Sequence, residues 1–214
     1  MQDLALDADT PLNGEADHIA VRKRPKPGER RVQILQALAT MLEQPGAERV
    51  TTAALAAKLD VSEAALYRHF ASKAQMFEGL IEFIEQSVFT LVNQIAEREI
   101  DPSARARRLV VMVLQFAEKN PGMTRVMVGD ALVFENDRLQ ERMNQFFDKL
   151  ESNLKQGLRD AGTASGAATP TVDAQVRASV AVAFMVGRLQ RFARSGFKRL
   201  PSEHLEASLA TILG

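Results

Sequence analysis

VTTAALAAKLDVSEAALYRHFASK, residues 50–73, holds two short helical patterns separated by Leu59-Asp60-Val61. Placing the second pattern at about 100° per residue puts Leu66 and Phe70 on one side with Val61 just ahead of them, an apolar underside for the first pattern to cover. Ala64 and Arg68 point the opposite way, flanked by Ala65 and Tyr67. That is the outline of a helix-turn-helix, whose second helix enters the major groove of DNA. Alanines let the backbone approach base edges and thymine methyls, and an arginine can pair with guanine. Tyr67, His69 and Lys73 are residue types that fix register on phosphates. Ser62 opens the second helix, and Thr51 or Thr52 caps the first, where a hydroxyl and free backbone N–H groups also suit a phosphate.

Charge is arranged to match. The chain is neutral overall, with 27 Lys/Arg and 27 Asp/Glu. Residues 1–20 carry five acidic and no basic side chains, whereas residues 21–73 carry ten Lys/Arg against five Asp/Glu. The basic excess therefore coincides with the helix-turn-helix, as an electrostatic footprint on nucleic acid requires. Residues 1–28, with Pro11, Pro25, Pro27, Gly14 and Gly28, lack helical periodicity and read as a disordered extension, first acidic and then basic at Arg22-Lys23-Arg24-Pro25-Lys26.

Composition excludes several classes. Cysteine is absent, which removes disulfides, thiol catalysis and cysteine-bound zinc, and His18, His69 and His204 are too scattered for a metal cluster. No cofactor is expected. No constellation of nucleophile, base and carboxylate appears, so the chain does not read as an enzyme. With no apolar run near 18 residues and no signal-peptide pattern, a soluble cytoplasmic protein is expected, without a membrane partner.

Outside the motif the pattern is helical throughout, so the fold class is all-α. Val32, Ile34, Leu35, Leu38, Met41 and Leu42 form a supporting helix that stops before Pro45-Gly46. Ser72-Lys73-Ala74-Gln75 is a capping box opening a long helix with the stripe Phe77, Leu80, Ile81, Ile84, Val88, Leu91, Val92 and Ile95. Phe83 and Phe89 fall about 100° and 140° from the centre of that stripe, exposed unless a neighbour covers them. Asp101-Pro102 and Asn120-Pro121 each start a helix by the N-cap and Pro-at-N1 rule. Between them Leu109–Phe116 is apolar almost all round. Leu139, Met143, Phe146, Phe147, Leu150, Leu154 and Leu158 keep spacings close to a short coiled-coil seam. Gly162–Pro170 reads as a small-residue linker. A last long helix, about Thr171–Ser195, carries Val176, Val180, Ala183, Phe184, Gly187 and Leu189, small enough for close approach at a two-fold interface. The organisation expected is residues 1–28 as extension, 29–74 as DNA-binding unit and 75–214 as helical body.

Val50–Phe77 resembles the signature region of the TetR family, with Val50 where the family carries isoleucine. Leu80-Ile81-Glu82-Phe83-Ile84-Glu85, Glu118-Lys119-Asn120-Pro121-Gly122, Asp137-Arg138-Leu139-Gln140, Arg191-Phe192-Ala193-Arg194-Ser195 and Phe197-Lys198 are similar to the nucleoid occlusion factors within it. The resemblance implies a three-helix N-terminal domain on a helical dimerisation domain. It further implies a nucleoid-associated homodimer on palindromic double-stranded DNA that captures the C-terminal tail of the tubulin-like division protein FtsZ. Thr51, Thr52, Tyr67, Arg68, His69 and Lys73 would then serve DNA, and Phe83, Met112, Lys119 and Asn120 the tail. Met112 and Gln115 differ from the family at groove positions, and Leu91 stands where it has a basic residue. The other reading is a ligand-responsive repressor with a pocket lined by Leu109–Phe116.

Overall fold

The computed structural model describes residues 28–44 and 50–214. The acidic and basic extension before Gly28, and the Pro45-Gly46 break, lie outside the described residues. Helix α1 is Glu29–Leu42, α2 Thr52–Lys58 and α3 Glu63–Tyr67, followed by α4 (Lys73–Arg98), α5 (Pro102–Lys119), α6 (Pro121–Met127), α7 (Asp137–Ala164), α8 (Pro170–Arg194) and α9 (Leu205–Leu213). No strand occurs among the described residues, in agreement with the all-α expectation.

The head is α1 to α3 gathered on the start of α4. Ile34, Leu38 and Leu42 from α1 meet Leu55, Leu66, Phe70 and Phe77, all within 1% of complete burial. At about 2 kcal/mol for each large apolar side chain removed from water, these residues suffice to hold three short helices that would not persist alone. The turn between α2 and α3 is tight enough to put Asp60 at φ 53, a conformation Asp tolerates better than most residues.

α4 leaves the head and becomes part of the body. Phe77, Leu80, Ile81, Ile84, Val88 and Val92 are buried along one stripe as the periodicity predicts, but Leu91 is 36% exposed and Ile95 only half-buried. The stripe thus loses cover on one side of its last turns. Asp101 caps α5 as predicted, accepting from the Ala104 amide at 2.9 Å. α5 supplies the middle of the body, with Val110, Val113 and Leu114 fully buried.

α7 and α8 form a long antiparallel hairpin. Leu139, Met143, Phe146, Leu150 and Leu154 close their seam inside the chain, where α8 offers Ala174, Ala178 and Ala181 for close approach. The expected linker is shorter than it reads: α7 runs on to Ala164, and only residues 165–169 turn. The turn closes with Gly166 at φ +74 and the Ala167 amide donating to the Gly162 carbonyl at 2.9 Å, a helix end that needs a residue without Cβ.

Two ties fix the head to the body. Gly122 of α6 lies so close to α1 that a Cβ there would stand 1.9 Å from the Ala39 carbonyl oxygen. Along α4, Lys73 pairs with Glu135, Glu78 with Arg138, and Glu85 with Arg142, the last by two bonds of 3.2 and 2.6 Å. The hydrogen bonds it donates to Glu85 are the main reason the Arg142 guanidinium is held above its ordinary value.

Candidate nucleic-acid interface and partner cleft

The DNA-facing surface is assembled from three helix starts. Thr51 caps α2, its Oγ1 accepting from the Ala54 amide at 3.2 Å. Ser62 caps α3, accepting from Ala65 at 3.3 Å, and Ser72 caps α4, accepting from Gln75 at 3.2 Å. The Gln75 side chain reaches back past the cap, its Oε1 accepting from the Ala71 amide at 2.9 Å. Of the two threonines able to cap α2, Thr51 takes that role and leaves Thr52 to bond sideways. The Thr52 hydroxyl donates to Glu63 at 2.6 Å and accepts from Tyr67 at 3.5 Å.

The predicted faces of α3 hold. Leu66 and Phe70 are inside, while Ala64, Tyr67, Arg68 and His69 are exposed and Ala65 is half-buried. Arg31 of α1 donates to the His69 carbonyl at 2.9 Å and stacks 4.0 Å over Phe70. The backbone at the end of α3 is thereby fixed, and the Tyr67-Arg68-His69 side chains project from a rigid base. Lys73 is the exception. Its ammonium pairs with Glu135 and lies 5.6 Å over Phe77, so a phosphate would share it with that carboxylate. Glu63 and Glu135 were absent from the sequence-based candidates, because nothing local to either carboxylate signals its bonding.

On the body, Phe83 is 48% exposed on α4. Phe89, on the other side of the stripe, is partly covered: it packs edge-on against Phe146 of α7 at 5.6 Å, with the Lys149 ammonium 6.0 Å over its ring. α4 and α5 are adjacent and antiparallel. Val92 and Ile95 share a small cleft with Ala106 and Leu109, and continuing that register by helical rise sets Phe83 level with the end of α5, near Lys119. Lys119 is exposed, and Met112 and Asn120 are half-buried. Asn120 corrects the sequence reading. It does sit between α5 and Pro121, but its side chain makes no cap to α6; its amide turns back to the Phe116 carbonyl at 2.7 Å.

α5 packs its apolar face into the body. Leu109, Val110, Val113, Leu114 and Ala117 are all within 4% of complete burial, and the cleft between α4, α5 and α7 measures about 30 Å³, room for a water rather than a drug-sized ligand. α8 divides its apolar residues between two faces. Leu189, expected on the small-residue side, belongs to the inner face with Met185 and Phe192. Val172, Val176, Val180 and Ala183 form an outer stripe exposed to solvent, continued by the half-buried Gly187. Phe184 is half-buried beneath the Arg188 guanidinium, 4.9 Å away. No helix among the described residues is long and apolar enough to cross a membrane.

A three-helix head presenting an exposed second helix, carried on a helical body, is the layout of a helix-turn-helix regulator. Residues 34–80 match the family described as bacterial regulatory proteins, tetR family, and residues 101–213 match the SlmA-like tetracyclin repressor-like C-terminal domain. Nucleoid occlusion factor SlmA of Photobacterium profundum is 52% identical over 182 residues, 85% of this chain and 92% of that protein. SlmA of Citrobacter koseri is 51% identical over 179 residues, 83% and 90% of the two chains. The fatty acid degradation regulator FadR of Bacillus halodurans superposes with TM-score 0.71 at 16% identity, covering 89% of this chain and 97% of that one. PfmR of Thermus thermophilus, a TetR family transcriptional regulator, gives 0.69 at 23% identity over 85% and 97%. These two share the fold. The chain belongs to the SlmA family of nucleoid occlusion factors, DNA-binding regulators of the TetR class.

Proposed function

We propose that two copies of this chain pair through the outer stripe of α8, seat their heads on a palindromic DNA site, and offer the cleft beside Phe83 to the C-terminal tail of FtsZ. Capture of that tail blocks Z-ring assembly over the nucleoid. The observation that carries the reading is Phe83, a large apolar side chain left 48% exposed on α4. Exposed aromatic anchors beside polar groups are what a short peptide needs for affinity.

In this reading Thr51, Tyr67 and His69, with the backbone N–H of Thr52 at the start of α2, hold backbone phosphates, and Ala64, Ala65 and Arg68 approach base edges with Ser62 at the helix start. Phe83, Met112, Lys119 and Asn120 line the tail cleft. The small residues of the α8 stripe allow two helices to meet closely about a two-fold axis, and a palindrome mirrors that symmetry with half-sites one helical turn apart.

Co-sedimentation of FtsZ polymers tests the proposal. The DNA is a palindromic duplex recovered by selection from a random library. Wild-type protein on this duplex is expected to lower the pelleted FtsZ, and the Phe83→Ala variant to bind the duplex yet leave the pellet unchanged. An undiminished pellet with the DNA-bound wild type would overturn it.

A further inference from the structure

The DNA-facing surface contains a carboxylate that the proposed function does not use. Glu63 is the first residue of α3 and is exposed. Its Oε2 accepts a short bond, 2.6 Å, from the Thr52 hydroxyl. A hydroxyl has one proton to give; with that proton committed to Glu63, Thr52 can meet Tyr67 only as an acceptor, and the Tyr67 phenol accordingly donates to it at 3.5 Å. The carboxylate thus sets the direction of both bonds. The second contact is the long one, so a stronger acceptor, such as a phosphate at the start of α2, can take over the Tyr67 proton at little cost. Thr51 differs from Thr52 in keeping its own proton for a phosphate, because its Oγ1 only accepts, from the Ala54 amide.

We propose that Glu63 is a positioning residue of the DNA interface, which orients Thr52 and, through it, Tyr67 toward the backbone phosphate beside the α2 N-terminus. It does so without touching DNA. The inference rests on the DNA-binding reading of the head. Its energetic basis is preorganisation: a tyrosine already aimed loses less side-chain freedom on binding than one free to rotate.

The experiment is a double-mutant cycle read by fluorescence anisotropy on the selected palindromic duplex. Glu63→Ala is expected to weaken binding roughly three- to tenfold, the effect of ordering one side chain anew. Glu63→Gln keeps an acceptor oxygen for Thr52 and is expected to bind at least as well as wild type. In a Thr52→Val background, where the relay is already cut, Glu63→Ala is expected to cause no further loss. The proposal is overturned if Glu63→Ala binds like wild type, if Glu63→Gln loses as much as Glu63→Ala, or if the two losses simply add. A wild-type protein that fails to bind the selected duplex would instead refute the underlying DNA-binding reading.

Discussion

Replacing Phe83 with alanine is the sharpest probe of the cleft, because the side chain is both large and half outside. A phenylalanine exposes on the order of 200 Å² when free, and 48% of it remains accessible in the folded chain. A tail lying across the ring would therefore cover about 100 Å², and at about 25 cal/mol per Å² this contributes about 2.5 kcal/mol. Ordering of the peptide offsets part of that gain, so the expected loss is about 1–2.5 kcal/mol, a weakening of roughly five- to sixtyfold. Slightly more than half of Phe83 faces the body, so the variant is expected to lose some stability while remaining folded. The assay is fluorescence anisotropy of a labelled FtsZ C-terminal peptide titrated with operator-bound protein, with DNA affinity and thermal midpoint measured in parallel. Peptide affinity within twofold of wild type, in a variant that still binds DNA, would refute the assignment of the cleft.

Other perturbations separate the remaining parts. Joint replacement of Tyr67 and Arg68 by alanine should abolish site-specific binding, measured by anisotropy at fixed salt, while sedimentation still reports the wild-type oligomer. Val180→Asp places a charge in the outer α8 stripe, and the dimer dissociation constant should rise at least about a hundredfold in analytical ultracentrifugation. Glu135→Gln releases Lys73 toward phosphate, so the slope of log affinity against log salt should steepen by about 0.9. Phe146→Ala removes a fully buried ring that touches Phe89 and Phe147, and denaturant unfolding should show a loss of about 3–5 kcal/mol.

Local rules read most of this molecule correctly because its helices announce themselves at both ends. Thr51, Ser72 and Asp101 cap as their types and spacings require, and the inner and outer faces of α3 follow from angle alone. What escaped the sequence depends on partners far along the chain. Phe83 and Phe89 both fall outside the stripe, on opposite sides of it; α7, which brings Phe146 from 57 residues further on, partly covers Phe89 and leaves Phe83 exposed. Lys73 reads as an unpaired cation, and only the fold brings Glu135 to it across 62 residues. Asn120-Pro121 repeats the pattern of Asp101-Pro102, yet an amide, unlike a carboxylate, can donate, and it satisfies the last turn of α5 instead. Leu189 departs from expectation because α8 has two apolar faces, and an average over the helix cannot say which one a residue joins.

The contact at Gly122 has a mechanical consequence. Two residues before it is Asn120 of the candidate cleft; across from it is the backbone of α1, with no side chain between to absorb a shift. An occupant that moves the Asn120–Gly122 corner by a fraction of an ångström must push on the helix that braces Arg31, His69 and Phe70. Thermodynamic reciprocity then applies: by whatever factor an operator sharpens affinity for the tail, the tail sharpens affinity for the operator. Gly122→Ala would act as a shim in that joint, and its first symptom would be a loss of this mutual reinforcement.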